Sequence, residues 1–142
     1  MLRDILNRRL VTVSPDAKVI EAARLMEEAN VGSVLVLDND KPRGILTDRD
    51  IVVRCIAQNV DVTDCTVENI LSESLVVCHE TDGIFDCIRR MREAKVRRMP
   101  VLNDQGKVVG IVSFGDLMAM LGREMGELTQ GTTPAEDHFK AA

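Results

Sequence analysis

The chain has 142 residues, 45% of them hydrophobic, with a formal charge of −5 and neither Trp nor Tyr. An acidic chain whose aromatics are Phe85, Phe114 and Phe139 lacks the cationic field and the stacking platforms of a nucleic-acid binder, so no nucleic-acid partner is expected. No apolar run nears the ~20 residues of a membrane span, and the opening MLRDILNRRLVTV has no apolar signal core, so no membrane partner and a cytoplasmic location are expected.

The sequence matches itself at an offset of about 65 residues. RDILNRRLV (3–11) overlays ENILSESLV (68–76), and each leads into a short strand, LVTV (10–13) or LVVC (75–78). Ser14-Pro15-Asp16 then reads as a serine N-cap with proline at the first helical position; in the second copy Thr81 takes that place. Val19, Ala22, Ala23, Met26 and Ala29 recur at helical spacing, and Ile84, Cys87, Ile88, Met91 and Ala94 reproduce it, which predicts one buried helical stripe per copy. Two apolar runs around a turn follow each helix: VGSVLVL, DNDKP, RGIL in the first, and RMPVL, NDQGK, VVGIV in the second, with one inserted residue at Gly106. These runs read as hairpins. A further helix closes each copy, with Ile51, Val52, Cys55 and Ile56 facing inward in the first and Leu117, Met118 and Leu121 in the second.

This order predicts an α/β fold of two β-α-β-β-α repeats packed about a pseudo-twofold axis. Repeat one spans 1–60, a linker 61–66, repeat two 67–122 and a tail 123–142, in which Thr133-Pro134-Ala135-Glu136 can open a short helix carrying Phe139. A unit of about 60 residues buries too little of its surface to be stable alone. Two copies packed together bury their apolar faces and leave two equivalent clefts.

The last helix of each copy starts with the same element, GILTDRDI (44–51) and GIVSFGDL (110–117). Thr47 with Asp50, and Ser113 with Asp116, fit a capping box, in which the hydroxyl accepts a free helical N–H and the acid reaches back. The box alone is one reading; the second is that the same carboxylate also grips a ligand. A carboxylate in that position can accept two hydrogen bonds from a ribose diol, each worth roughly 1.5–3 kcal/mol.

Little else points to chemistry. Cys55, Cys65, Cys78 and Cys87 form no C-x-x-C pair, so no metal site is expected. Cys65, in the linker, is the expected exposed thiol. The histidines are His79 and His138, and Cys78 and His79, adjacent on a strand, point to opposite faces, so no catalytic residues and no enzyme activity are expected.

LVTVSPDA, VGSVLVLD, GILTDRDI and VRRMPVLNDQGKVVGIVSFGDL together resemble the motifs of a tandem pair of cystathionine-β-synthase (CBS) domains, a Bateman module, over about residues 1 to 122. GILTDRDIVVR followed by VRRMPVL is similar to free-standing pairs of the hypoxic response protein type. The resemblance implies a regulatory sensor that binds adenine nucleotides (AMP, ADP, ATP) or related adenosyl compounds (NAD, S-adenosylmethionine) between the repeats. It also implies a homodimer joined through its helices, with output through the dimer or an unidentified protein partner. A ligand-free interaction scaffold with vestigial clefts is the alternative.

By the same resemblance Asp50 and Asp116 hold ribose, and Thr47 and Ser113 reach ribose or phosphate. Val11, Val31, Gly32 and Ser33 complete the Asp116 cleft, and Val76, Val96 and Arg97 the Asp50 cleft. With no aromatic to stack on, the adenine sits between aliphatic side chains. Arg97 and Arg98 stand where the first copy has Gly32 and Ser33, and an arginine fork suits phosphate. The cleft with Asp116 and Arg98 is therefore the expected phosphate-bearing one, unless both arginines belong to the basic helix face of Arg89, Arg90, Arg92 and Lys95.

Overall fold

A computed structural model describes residues 2–71 and 75–131. The expected helix start at Thr133–Glu136, with His138 and Phe139, lies outside the described residues.

In the first repeat β1 (Thr12–Val13) lies parallel to β2 (Ser33–Asp38), with helix α1 (Val19–Ala29) crossing between them. β2 pairs antiparallel with β3 (Lys41–Thr47), and α2 (Asp48–Arg54) follows. After a connection containing the four-residue helix α3 (Val67–Ile70), the order returns as β4 (Cys78–His79), α4 (Ile84–Ala94), β5 (Arg98–Leu102), β6 (Val108–Ser113) and α5 (Phe114–Gly131). Each sheet has three strands in sequence order, with β4 parallel to β5 and β5 antiparallel to β6. The fold is the α/β pair that the periodicities predict.

The turns follow from local chemistry. Asn39 and Asp40 both adopt left-handed backbone, with φ of 48° and 65°, as a two-residue hairpin needs to match strand twist. The second hairpin turns through Gly106 at φ 77°, which is why the inserted residue there is a glycine.

Neither repeat closes its own core. Leu2 and Leu6, ahead of β1 in the first repeat, are buried among Cys87, Met91, Met99, Val112 and Leu117 of the second. Cys65, Val67 and Ile70, from the connection, are buried among Val19, Ala22, Met26, Leu46 and Ile51 of the first. Backbone bonds fasten both exchanges. The Asn7 N–H donates to the Ile111 carbonyl at 2.9 Å and the Ile111 N–H returns to Asn7 at 3.0 Å, while Val67 N–H reaches Ala17 at 2.8 Å. Gly110 allows this crossing, because a Cβ there would run into the Leu6 side chain and stand 2.8 Å from the Asn7 carbonyl oxygen.

Four expectations are corrected by this packing. Ser14 does not cap α1: the helix starts at Val19, and its first amides, on Val19 and Ile20, donate to the carbonyls of Cys65 (2.9 Å) and Val62 (3.2 Å). Nor does Thr81 cap α4, whose N-cap is Gly83. The local acceptor there is Asp82, which receives the His79 N–H at 2.9 Å and Arg90 Nη1 at 2.7 Å. Cys65 is buried rather than exposed, since the connection folds onto α1. Val52 (54% exposed), Ile56 (56%) and Met118 (40%) face outward, leaving Ile51, Cys55 and Leu117 as the inward residues of their helices. Among the described residues no helix is long and apolar enough to cross a membrane.

Two stability experiments test these contacts. Leu2→Ala is expected to cost about 2–5 kcal/mol in urea unfolding, the range for a fully buried leucine, although it lies outside the periodic part of the sequence. Burial opposes ionisation of Asp82, but the His79 N–H and the Arg90 guanidinium outweigh it and hold the carboxyl below the usual carboxylate range. Because the folded state depresses this group's titration, its contribution is full above the unfolded value of about 4 and is lost as pH falls through the folded one. Asp82→Asn should cost about 1–3 kcal/mol at neutral pH and flatten the acid limb of the stability profile.

Candidate functional site

Two clefts lie between the repeats, each bounded by the last strand and helix start of one repeat and by the approaches to the first two strands of the other. The first has a volume of about 430 Å³ and joins Thr47 and Asp50 to Val76, Val96, Arg97 and Arg98. The second, of about 280 Å³, joins Ser113 and Asp116 to Val11, Val31, Gly32, Ser33 and Arg98. All twelve residues named from the sequence therefore line one cleft or the other. Ligand pockets commonly enclose ~300–1,000 Å³, so the Asp50 cleft falls within that range and the Asp116 cleft just below it.

Both capping boxes are formed. The Asp50 N–H donates to Thr47 Oγ1 at 3.1 Å, and Asp50 Oδ2 accepts the Thr47 N–H at 2.9 Å. In the second repeat the Asp116 N–H donates to Ser113 Oγ, and Asp116 Oδ2 accepts the Ser113 N–H, both at 3.1 Å. The box holds one carboxylate oxygen in each case. Oδ1 of each aspartate has no protein partner among the described residues.

The opposite walls are set by how α1 and α4 end. Each helix closes on a left-handed residue, Asn30 (φ 53°) and Lys95 (φ 57°), after which the chain turns into Val31–Ser33 or Val96–Arg98 and enters a strand. Equivalent backbone bonds then tie each wall to the helix start of its own repeat, Asp48 N–H to the Gly32 carbonyl at 3.0 Å and Phe114 N–H to the Arg97 carbonyl at 2.8 Å. The side chains at these paired positions differ. In repeat one a bare Gly32 faces Asp48, whose Oδ2 lies 3.2 Å from where a Cβ would stand. In repeat two the Arg97 guanidinium lies over the Phe114 ring, 6.0 Å from its centroid.

Charge is distributed otherwise than the sequence suggests. Arg98 sits opposite Ser113 in the β5–β6 register and lines the Asp116 cleft, but it also lines the Asp50 cleft. The Asp50 cleft has Arg49, Arg54, Lys95, Arg97 and Arg98 against Asp48 and Asp50, whereas the Asp116 cleft has Arg9 and Arg98 against Asp116. The more cationic cleft is thus that of Asp50, the reverse of the expectation. Arg97 and Arg98 are separate from the paired part of the α4 face, where Arg89 meets Asp86 at 2.9 Å and Arg90 meets Asp82. Arg9, Arg49 and Arg54 were not singled out from the sequence, although they stand beside its motifs, and Lys95, expected on the basic face of the helix, lines the Asp50 cleft.

A second cluster brings Cys78, Asp82 and Cys87 within 4.8 Å of one another. The two sulfurs are 2.8 Å apart and buried, with Met99 Sδ 3.9 Å from Cys78. The hydrogen bond to Cys78, together with burial, pushes the Cys87 thiol above its ordinary range, and Arg90 already holds Asp82. His79 is exposed on the other face of the strand from Cys78, as strand alternation requires.

The CBS domain family model matches residues 2–56 and 67–123. The chain is 37% identical over 116 residues to the CBS domain-containing protein YhcV of Bacillus subtilis, covering 82% of this chain and 81% of that protein. It is 32% identical over 116 residues to hypoxic response protein 1 of Mycobacterium tuberculosis, covering 81% and 80%. Other relatives are longer: the chain spans 59% of the length of MK0525 of Methanopyrus kandleri, at 29% identity over 81% of this chain. Among solved structures, the CBS domain pair of protein MJ0100, in complex with 5′-methylthioadenosine and S-adenosyl-L-methionine, superposes with a TM-score of 0.76 at 27% identity, covering 87% of this chain and 97% of that one. A duplicated β-α-β-β-α unit, two capping boxes and a family match over both copies lead to one assignment: the chain belongs to the CBS domain family, as a tandem pair.

Proposed function

We propose that this CBS pair is a regulatory module that binds adenosyl ligands in the clefts of Asp50 and Asp116. The observation that carries the reading is the divided use of each carboxylate. One oxygen is fixed by its own helix cap, which leaves the other without a protein partner on an aspartate that lines the cleft. Aliphatic walls from Val76 and Val96, or Val11 and Val31, suit a purine face, and the neighbouring arginines suit phosphate. The adenosyl compounds held by the MJ0100 pair belong to the same ligand class. AMP, ADP, ATP, NAD and S-adenosylmethionine are the compounds to try.

The module acts without chemistry of its own, and a bound ligand changes the packing between repeats or between copies of the chain. Met118, Leu121, Met125 and Leu128 fall at i, i+3, i+7 and i+10 on α5, and three of them are exposed. This stripe is the surface we assign to a second copy, giving a homodimer through helices. All four cysteines are free thiols, in keeping with a reducing, cytoplasmic setting.

Thermal unfolding with each of the five compounds tests the ligand reading. At about 100 times its dissociation constant a ligand should stabilise the fold by roughly 2.7 kcal/mol. Asp50→Asn and Asp116→Asn keep an oxygen for the cap, and should lose most of that shift at their own cleft while losing less than about 1 kcal/mol of intrinsic stability. If no adenosyl compound moves the transition, the clefts are vestigial and the module is an interaction scaffold. Separately, Met125→Glu with Leu128→Glu should convert the protein to a monomer in sedimentation velocity. A double variant that stays dimeric would remove α5 from the interface.

A further inference from the structure

The Asp50 cleft collects five basic side chains from three stretches of chain. Arg49 and Arg54 come from α2, Lys95 from the end of α4, and Arg97 and Arg98 from the entry to β5. Among the described residues Arg49, Lys95 and Arg98 have no side-chain hydrogen bond or ion pair, while Arg54 donates to the Ile70 carbonyl at 3.1 Å and Arg97 lies over Phe114. Unpaired cations gathered in one concavity repel one another, and the folded chain holds them there without counter-charges beyond Asp48 and Asp50.

Lys95 adds an independent sign. It occupies a left-handed helix terminus, a conformation that favours glycine or asparagine, and its counterpart in the other repeat is Asn30. A lysine there is strained, and its ammonium points to a use that asparagine does not serve. Arg97 also departs from its counterpart, Gly32, and has a built support in the Phe114 ring.

We propose that the Asp50 cleft selects a nucleoside carrying two or three phosphates over one carrying a single phosphate, with Lys95, Arg97 and Arg98 holding the phosphates beyond the first. The ribose end of this proposal rests on the adenosyl reading above. The polyphosphate end rests on the cation cluster alone. The Asp116 cleft, with Arg9 and Arg98 as its basic residues, lacks the charge for this selection.

Calorimetric titration of the full chain with ATP, AMP and adenosine, and separately with inorganic tripolyphosphate and orthophosphate, tests it. The wild type should bind ATP at least about tenfold more tightly than AMP, as one additional charge-assisted hydrogen bond to a phosphate would give. Tripolyphosphate should displace ATP where orthophosphate at equal concentration does not. Lys95→Asn and Arg97→Ala should each lose about tenfold in affinity for ATP and tripolyphosphate and leave adenosine unchanged. Lys95→Asn serves as the control on folding, because it relieves the left-handed strain and should not lower Tm. Equal affinity for ATP and AMP, or variants that keep full ATP affinity, would overturn the polyphosphate proposal and leave the adenosyl reading standing. Binding of tripolyphosphate with none of AMP or adenosine would sink the adenosyl reading and support a polyphosphate site of another ligand class. Silence from every compound would overturn both.

Discussion

The structure depends on an exchange: each repeat lends the segment ahead of its first strand to the core of the other. A unit of about 60 residues buries too little apolar surface to stand alone, and Leu2 and Leu6 on one side, with Cys65, Val67 and Ile70 on the other, supply what each core lacks. The exchange also fixes geometry. Because Asn7 is hydrogen-bonded to Ile111 beside Gly110, the following residues Arg9 and Val11 are delivered to the wall of the Asp116 cleft. The fastening of the connection to α1 precedes Leu75 and Val76, which stand in the wall of the other cleft. The clefts are therefore consequences of how the cores are closed.

Within that frame the capping box does two things at one place. A helix start needs an acceptor for its free amides, and a carboxylate three residues in satisfies the returning N–H with one oxygen. The second oxygen is then held at a fixed angle by a bond that exists for folding. Removing such a carboxylate affects a cap and a candidate ligand contact together, so only a substitution that retains the cap separates them.

The parts of this arrangement that rest on local chemistry were legible in the sequence. The stripes of α1 and α4, the two hairpins, the inserted turn at Gly106 and both capping boxes follow from spacing over a few residues. Ser14 and Thr81 were misread as caps because the acceptors that replace Ser14 are the carbonyls of Cys65 and Val62, about fifty residues away in the chain, and because Asp82 holds the local amide ahead of α4. Cys65 looked exposed for the same reason: a polar linker sequence does not reveal that it folds back onto a helix. Val52, Ile56 and Met118 carry apolar side chains that lie at the edge of a buried stripe, and which edge is covered depends on a neighbour that the sequence alone does not position.

The charge of the clefts was the least legible feature, and Arg98 shows why. A strand pairing places it opposite Ser113, and from that register alone it belongs to the Asp116 cleft. Yet β5 begins between the two clefts, and an arginine stem is long enough to line both. One guanidinium has a single set of donors, so a phosphate that takes them in one cleft withdraws them from the other. The second cleft then retains Arg9 as its other cation, whereas the first retains Arg49, Arg54, Lys95 and Arg97. Two clefts related by repetition of the chain are thus made unequal by a few side chains, and a single arginine lines both.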